Sequence, residues 1–121
     1  MLNEVTLIGR FGKNLKIVAF GDNESCGLFS VATYYYTKNA QGEKVEKTEW
    51  HNVACYKGHV DLMRKYAHLN SHICIKGRLR NRTWTDDRTG QERHVTEVVA
   101  EQIYFIGRTQ DNNQSGDMPN L

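Results

Sequence analysis

The chain has 121 residues, 39% of them hydrophobic and 25% charged, the balance of one ordinary globular domain. No run of about 18 apolar residues is present, which excludes a membrane-spanning helix. Net charge is only +2, yet residues 1–108 hold all 16 Lys and Arg against 12 acids, and residues 109–121 hold only Asp111 and Asp117. A weakly basic body allows an anionic partner without demanding one. The opening Met1-Leu2-Asn3-Glu4 lacks the basic and apolar segments of a secretory signal. Cys26, Cys55 and Cys74 are odd in number and far apart, so neither a disulfide framework nor a zinc ribbon is expected. Buried thiols in a reducing cytoplasm are the plain reading.

In chain order, residues 5–9 form a short β-branched and aliphatic run. Residues 29–36 alternate through Val31 and Thr33 into three tyrosines, and residues 50–56 alternate Val53 and Cys55 with Trp50, Asn52 and Tyr56. Between His59 and His68, Val60, Met63 and Ala67 recur at helical spacing, and Asn70 suits a left-handed stop. Residues 73–84 alternate almost without error, and residues 94–106 are rich in Val, Thr and Ile. Turn residues separate these runs, as in Asn39-Ala40-Gln41-Gly42 and Asp86-Asp87-Arg88-Thr89-Gly90. Three strands, a helix and two strands predict an all-β, five-stranded Greek-key barrel of the OB type over residues 1–108. An α+β sandwich is the alternative. Residues 109–121 are polar and predicted to be a disordered tail.

The strongest functional pattern is Lys76-Gly77-Arg78-Leu79-Arg80-Asn81-Arg82-Thr83-Trp84. Side chains two apart share a face of a strand. Lys76, Arg78, Arg80, Arg82 and Trp84 therefore face one way, and Ile73, Ile75 and Leu79 face the other, toward a core. A bend in a small barrel would turn Lys76 and Arg78 elsewhere. Trp50 and Tyr56 share a face opposite Val53 and Cys55, and Tyr34 and Tyr36 share one opposite Phe29 and Val31. Three strands thus set aromatics on the face away from the aliphatics. The competing explanation is a solvated outer face for the cations and simple burial for Trp50 or Tyr56. Rings interleaved with Arg and Lys suit single-stranded nucleic acid, because any base can stack and the cations neutralise phosphates. Stacking alone does not separate DNA from RNA, which requires a contact at the 2′-hydroxyl.

Val5-Thr6-Leu7-Ile8-Gly9-Arg10, Thr48-Glu49-Trp50-His51-Asn52-Val53, Arg78-Leu79-Arg80-Asn81-Arg82-Thr83-Trp84 and Thr96-Glu97-Val98-Val99-Ala100 resemble the bacterial single-stranded DNA-binding protein family. The order and spacing match from about Leu2 to Gly107. The resemblance implies an OB fold, a homotetramer, and DNA wrapped outside it during replication, repair and recombination. It carries stacking roles to Trp50, Tyr56 and Trp84, with Tyr36 first and Tyr34 second for a further ring. Arg10, Lys57, Arg78, Arg80 and Arg82 are the expected phosphate contacts, and His51, His72 and Cys74 the expected oligomer contacts. The family's Asp-Pro turn after the first strand is replaced by Lys13-Asn14-Leu15-Lys16. Its acidic, aromatic C-terminal tip, which recruits replication and repair proteins, survives only as the echo Asp117-Met118-Pro119, so recruitment of such partners is in doubt.

No cofactor, metal site or catalytic residue is expected. Cys55 with His59, and His68 with His72, have ligand-like gaps but no third ligand at a recognisable spacing. His51 points with Val53 toward the interior or a protomer contact.

Overall fold

The protein is described from a computed structural model covering residues 1–12, 15–21 and 24–107. The predicted tail and two residues of the replaced turn, Lys13 and Asn14, lie outside the described residues. The elements are β1 (Val5–Phe11), β2 (Lys16–Ala19), β3 (Ser25–Lys38), β4 (Lys44–Tyr56), α1 (Gly58–Tyr66), β5 (His72–Thr85) and β6 (Glu92–Ile106). β1 pairs β5, β5 pairs β6, β6 pairs β4, β4 pairs β3, and β3 returns to β1. These five strands close the expected barrel. β2 flanks it, sharing one edge of β3 with β1.

Closure depends on two short contacts. β1 meets β3 only through Arg10↔Ala32 and Phe11↔Val31. A Cβ at Gly9 would stand 2.1 Å from the Ala32 carbonyl oxygen, so only glycine lets the backbones come this close. β4 and β6 run parallel and pair only at Val53↔Val98 and Ala54↔Val99.

The predicted alternation sorts the faces correctly in the barrel body. Phe29, Val31, Val53, Cys55, Ile73, Ile75, Val98, Ala100 and Ile103 meet in one core. α1 closes the barrel's end with Val60 and Met63, which are fully buried, while Leu62 and Ala67 pack at the margin. The helix ends at Tyr66 on an extended Ala67, so Asn70, left-handed at φ 68, shapes the turn before β5 and is not the helix stop the sequence suggested. Burial, with a smaller contribution from Cys26, pushes the Cys55 thiol up to about 12.

Three differences from the sequence reading have physical causes. β2 escaped it, because its four residues place only Ile17 against the core. β3 and β4 run on past the barrel as a two-stranded ribbon to Lys38↔Lys44. That extension is polar and aromatic apart from Val45, and no apolar period marks it.

Leu79 is the third difference. It shares the core-side face with Val98, yet it is 49% exposed rather than buried. The β1–β5 ladder ends at Val5↔Gly77, so no strand among the described residues covers that side. Asn3 continues the edge, accepting from the Leu79 N–H at 2.9 Å and donating to its carbonyl at 3.0 Å.

Candidate functional site

The barrel's outer face carries the aromatic residues in three groups. On β3 and β4 the register places Leu28, Ser30, Ala32, Tyr34 and Tyr36 opposite Ala54, Asn52, Trp50, Thr48 and Glu46. All of these face away from Phe29, Val31 and Val53.

Trp50 anchors the first group and is 57% exposed. It lies in a cross-strand row with Ala32, Arg10 and His72. Arg10 also donates to the Asn70 carbonyl at 3.3 Å. Gly12 gives the indole its room: a Cβ there would be 2.5 Å from the far edge of the ring. The backbone holds that approach through the Gly12 N–H, which donates to the Ser30 carbonyl at 2.9 Å.

The second group joins β4, β5 and β6. Arg80 and Arg82 lie on the same outer face as Trp84, as alternation predicts, and Glu97 of β6 stands opposite Arg80. Glu97 is only 2% exposed. Its Oε2 accepts from Arg80 Nε at 2.9 Å and also from Arg80 Nη2. Arg82 grips both carboxylate oxygens, Nε to Oε2 at 3.2 Å and Nη2 to Oε1 at 3.3 Å.

Arg80 Nη2 donates as well to the Tyr56 hydroxyl at 2.8 Å, and its guanidinium sits 5.6 Å from the Tyr56 ring centroid. The Arg82 guanidinium lies 5.0 Å from the Trp84 ring centroid, within cation–π range. Burial alone would raise the Glu97 pKa, but hydrogen bonds from Arg82 and Arg80 outweigh it and hold the carboxyl below its ordinary value. Burial would likewise lower the Arg80 pKa, and the bonds to Glu97 and Tyr56 reverse that and raise it.

A cleft of about 300 Å³ opens beside this group, lined by Trp84, Arg82, Val95, Ser30 and Asn52. Lys16 of β2 also lines it. Trp84 is 44% exposed, and Arg93 lies directly opposite it on β6.

The third group is the ribbon. Tyr34 and Tyr36 are about half exposed, and the Lys44 ammonium lies 4.3 Å from the Tyr36 ring centroid. The ribbon's end is fixed by Asn39, whose Oδ1 accepts from the N–H groups of Gln41 and Glu43, both at 2.9 Å.

The remaining sequence candidates are dispersed. Arg78 pairs with Glu101 at 3.4 Å, both side chains exposed, and Lys76 borders a separate polar cleft with Glu4 and Gln102. Lys57 is exposed after β4 at φ 54, a conformation that costs a non-glycine residue about 1–3 kcal/mol. His51 is half-buried on the core-side face of β4, its Nε2 2.9 Å from the Thr33 hydroxyl. His72 and Cys74 occupy the outer face of β5, the first exposed and the second buried. His51 thus lies on the opposite face of the sheet from His72 and Cys74, which are neighbours along β5.

Sequence reasoning missed Lys16, Arg93 and Glu97 as members of this face. Lys16 belongs to a strand too short to show a period. Arg93 and Glu97 were legible only through the β5–β6 register, which sets them opposite Trp84 and Arg80. Among the described residues, no three His, Cys, Asp or Glu side chains are placed to hold a metal ion, and no helix is long and apolar enough to cross a membrane. Exposed rings flanked by guanidinium groups along an open face can stack unpaired bases and neutralise phosphates in any sequence.

Comparison with known proteins agrees with that chemistry. Residues 2–106 match the model of the single-strand binding protein family. The chain is 37% identical over 117 residues to single-stranded DNA-binding protein 1 of Xylella fastidiosa, covering 96% of this chain and 85% of that one. It is 31% identical to the single-stranded DNA-binding protein of Neisseria meningitidis, covering 98% and 66%. Among solved structures, the Plasmodium falciparum SSB complex with ssDNA superposes with a TM-score of 0.76 at 26% identity, covering 88% and 96% of the two chains.

Proposed function

The chain belongs to the single-strand binding protein family, and on that premise we propose that it binds single-stranded DNA with little sequence preference and protects it during replication, recombination and repair. The observation that carries this reading is the outer face itself: Trp50 and Trp84 stand open to solvent on different strands, with Arg80, Arg82 and Arg10 beside them. Trp50, Trp84 and Tyr56 are the stacking residues, with Tyr36 and Tyr34 extending the path along the ribbon. Arg10, Lys57, Arg78, Arg80 and Arg82 neutralise phosphates, and Lys16 and Arg93 join them. The reading requires no cofactor, metal or catalytic residue, and the working compartment is the cytoplasm or nucleoid.

The active form is a homotetramer, with His51, His72 and Cys74 toward its interfaces. Ile8 on the outer face of β1 supports this, since it is 60% exposed beside Cys74. Replication and repair proteins are further partners only if the Asp117-Met118-Pro119 segment suffices to recruit them.

One titration tests the binding mode. Oligo-dT should quench the tryptophan fluorescence, and Trp50→Ala combined with Trp84→Ala should abolish most of the affinity. Unchanged affinity in that double variant would overturn the stacking reading. Light scattering with and without a long dT oligomer should give four chains per particle, and a monomer or dimer would overturn the assembly.

A further inference from the structure

Glu97 poses a problem that DNA binding does not explain. A face that holds a polyanion loses attraction for every carboxylate placed in it, yet here one acid lies 2% exposed beneath two arginines. It leaves the Arg80–Arg82 pair with a net charge of +1 where it would otherwise be +2.

What the carboxylate provides is order. Free arginine side chains on a strand sample many rotamers, and each loses that freedom when it meets a ligand. Here three guanidinium nitrogens converge on Oε2 and a fourth donates to Oε1, so both planes are fixed before any ligand arrives. The order then passes to the rings, because Arg80 is bonded to the Tyr56 hydroxyl and Arg82 lies against Trp84.

We propose that Glu97 is a positioning residue. Its buried carboxylate locks Arg80 and Arg82, and through them sets Tyr56 on β4 and Trp84 on β5 as one preorganised stacking unit. The proposal rests on the DNA-binding reading above. It makes the opposite prediction from simple electrostatics: removing this negative charge weakens the binding of a polyanion.

The test uses Glu97→Gln in a Trp50→Phe background, where Trp84 is the remaining indole of the chain's two. Wild type, the background and the combined variant are titrated with oligo-dT over a range of salt concentrations, with thermal melts to establish folding. At about 0.2 M salt, Glu97→Gln should bind about fivefold more weakly than its background. Its salt slope should steepen by about one ion, as the freed guanidinium groups meet phosphates independently. The quenching of Trp84 at saturation should fall. Equal or tighter binding with unchanged quenching, in a folded variant, overturns the proposal. Failure of the wild-type chain to bind oligo-dT would instead overturn the DNA-binding reading on which it rests.

If Glu97→Gln does not fold, Arg82→Lys carries the test, since it keeps the charge and gives up the two-pronged grip. Binding at least threefold weaker with reduced quenching supports the positioning role. Wild-type affinity and quenching in Arg82→Lys overturn it.

Discussion

The barrel body and the two ribbons that project from it use the same strand alternation to opposite ends. In the body, one face of every strand meets the core, and Val31, Val53, Ile73 and Ile75 are essentially inaccessible. In the ribbons, residues 33–49 and 79–96, the strands continue beyond the strands that would cover them, and side chains on both faces are exposed or half-buried. Leu79 and Tyr35 show the change most clearly. Each occupies the face that is buried lower on its own strand, and each is nearly half exposed. Part of the binding chemistry therefore gathers where the barrel stops, with Trp84 and the tyrosines on the ribbons, while Trp50 stands on the outer face of the body itself.

The sharpest way to break this contrast is to injure each region separately. Met63→Ala in the plug should cost about 2–5 kcal/mol of stability through the cavity it leaves, read as a lower denaturant midpoint. Its affinity for oligo-dT, measured where the protein remains folded, should hardly change. Trp84→Ala should do the reverse: about tenfold weaker binding, from the loss of a stacking contact of roughly 1–3 kcal/mol, with a melting temperature within a few degrees of wild type. A large stability loss in Trp84→Ala would erase the distinction between body and ribbon.

Acid should reveal where the two regions are joined. Glu97 has a native pKa below its ordinary value of 4.5. Its ion pairs therefore contribute stability that is fully present above that value and is lost as pH falls through the lower native one. The stability gap between wild type and Glu97→Gln, followed by denaturant unfolding from pH 7 to 3, should be constant down to about pH 4.5 and then close. A gap that stays constant to pH 3 would deny the ion pairs that role.

The smallest expected effect is also the most local. Gly12→Ala pushes a methyl group against the Trp50 ring and the Ser30 hydroxyl, the latter 2.8 Å from the added Cβ. The ring is the movable partner, so binding should weaken about two- to threefold with little change in melting temperature. Tyr36→Ala should have an effect of similar size if the ribbon joins the DNA path, and none if the path ends at Trp50.

Legibility in the sequence followed the same division. Val53 with Cys55, and Ile73 with Ile75, announced the inner face of the body, and Val60 with Met63 announced the plug. The outward placing of Trp50, Tyr56, Arg80, Arg82 and Trp84 came from the same period. Alternation, however, reports a face and not what covers it. It could not tell that Leu79 lies past the end of the β1 ladder, or that Glu97, on a face nominally open to solvent, is buried by two arginines. Tyr56 has the same origin: its face was legible, but its bond to Arg80 depends on how β4 and β5 are brought together through β6.

The thiol of Cys55 turns the barrel into its own recorder. Sealed against Gly27 across the β3–β4 ladder and held in the thiol form by burial, it is inert to alkylating reagents while the ladder holds. With Cys26 and Cys74 replaced by serine, the rate at which iodoacetamide marks Cys55 counts the moments when those two strands part. Bound DNA, by clamping the outer face of the same strands, should slow that clock.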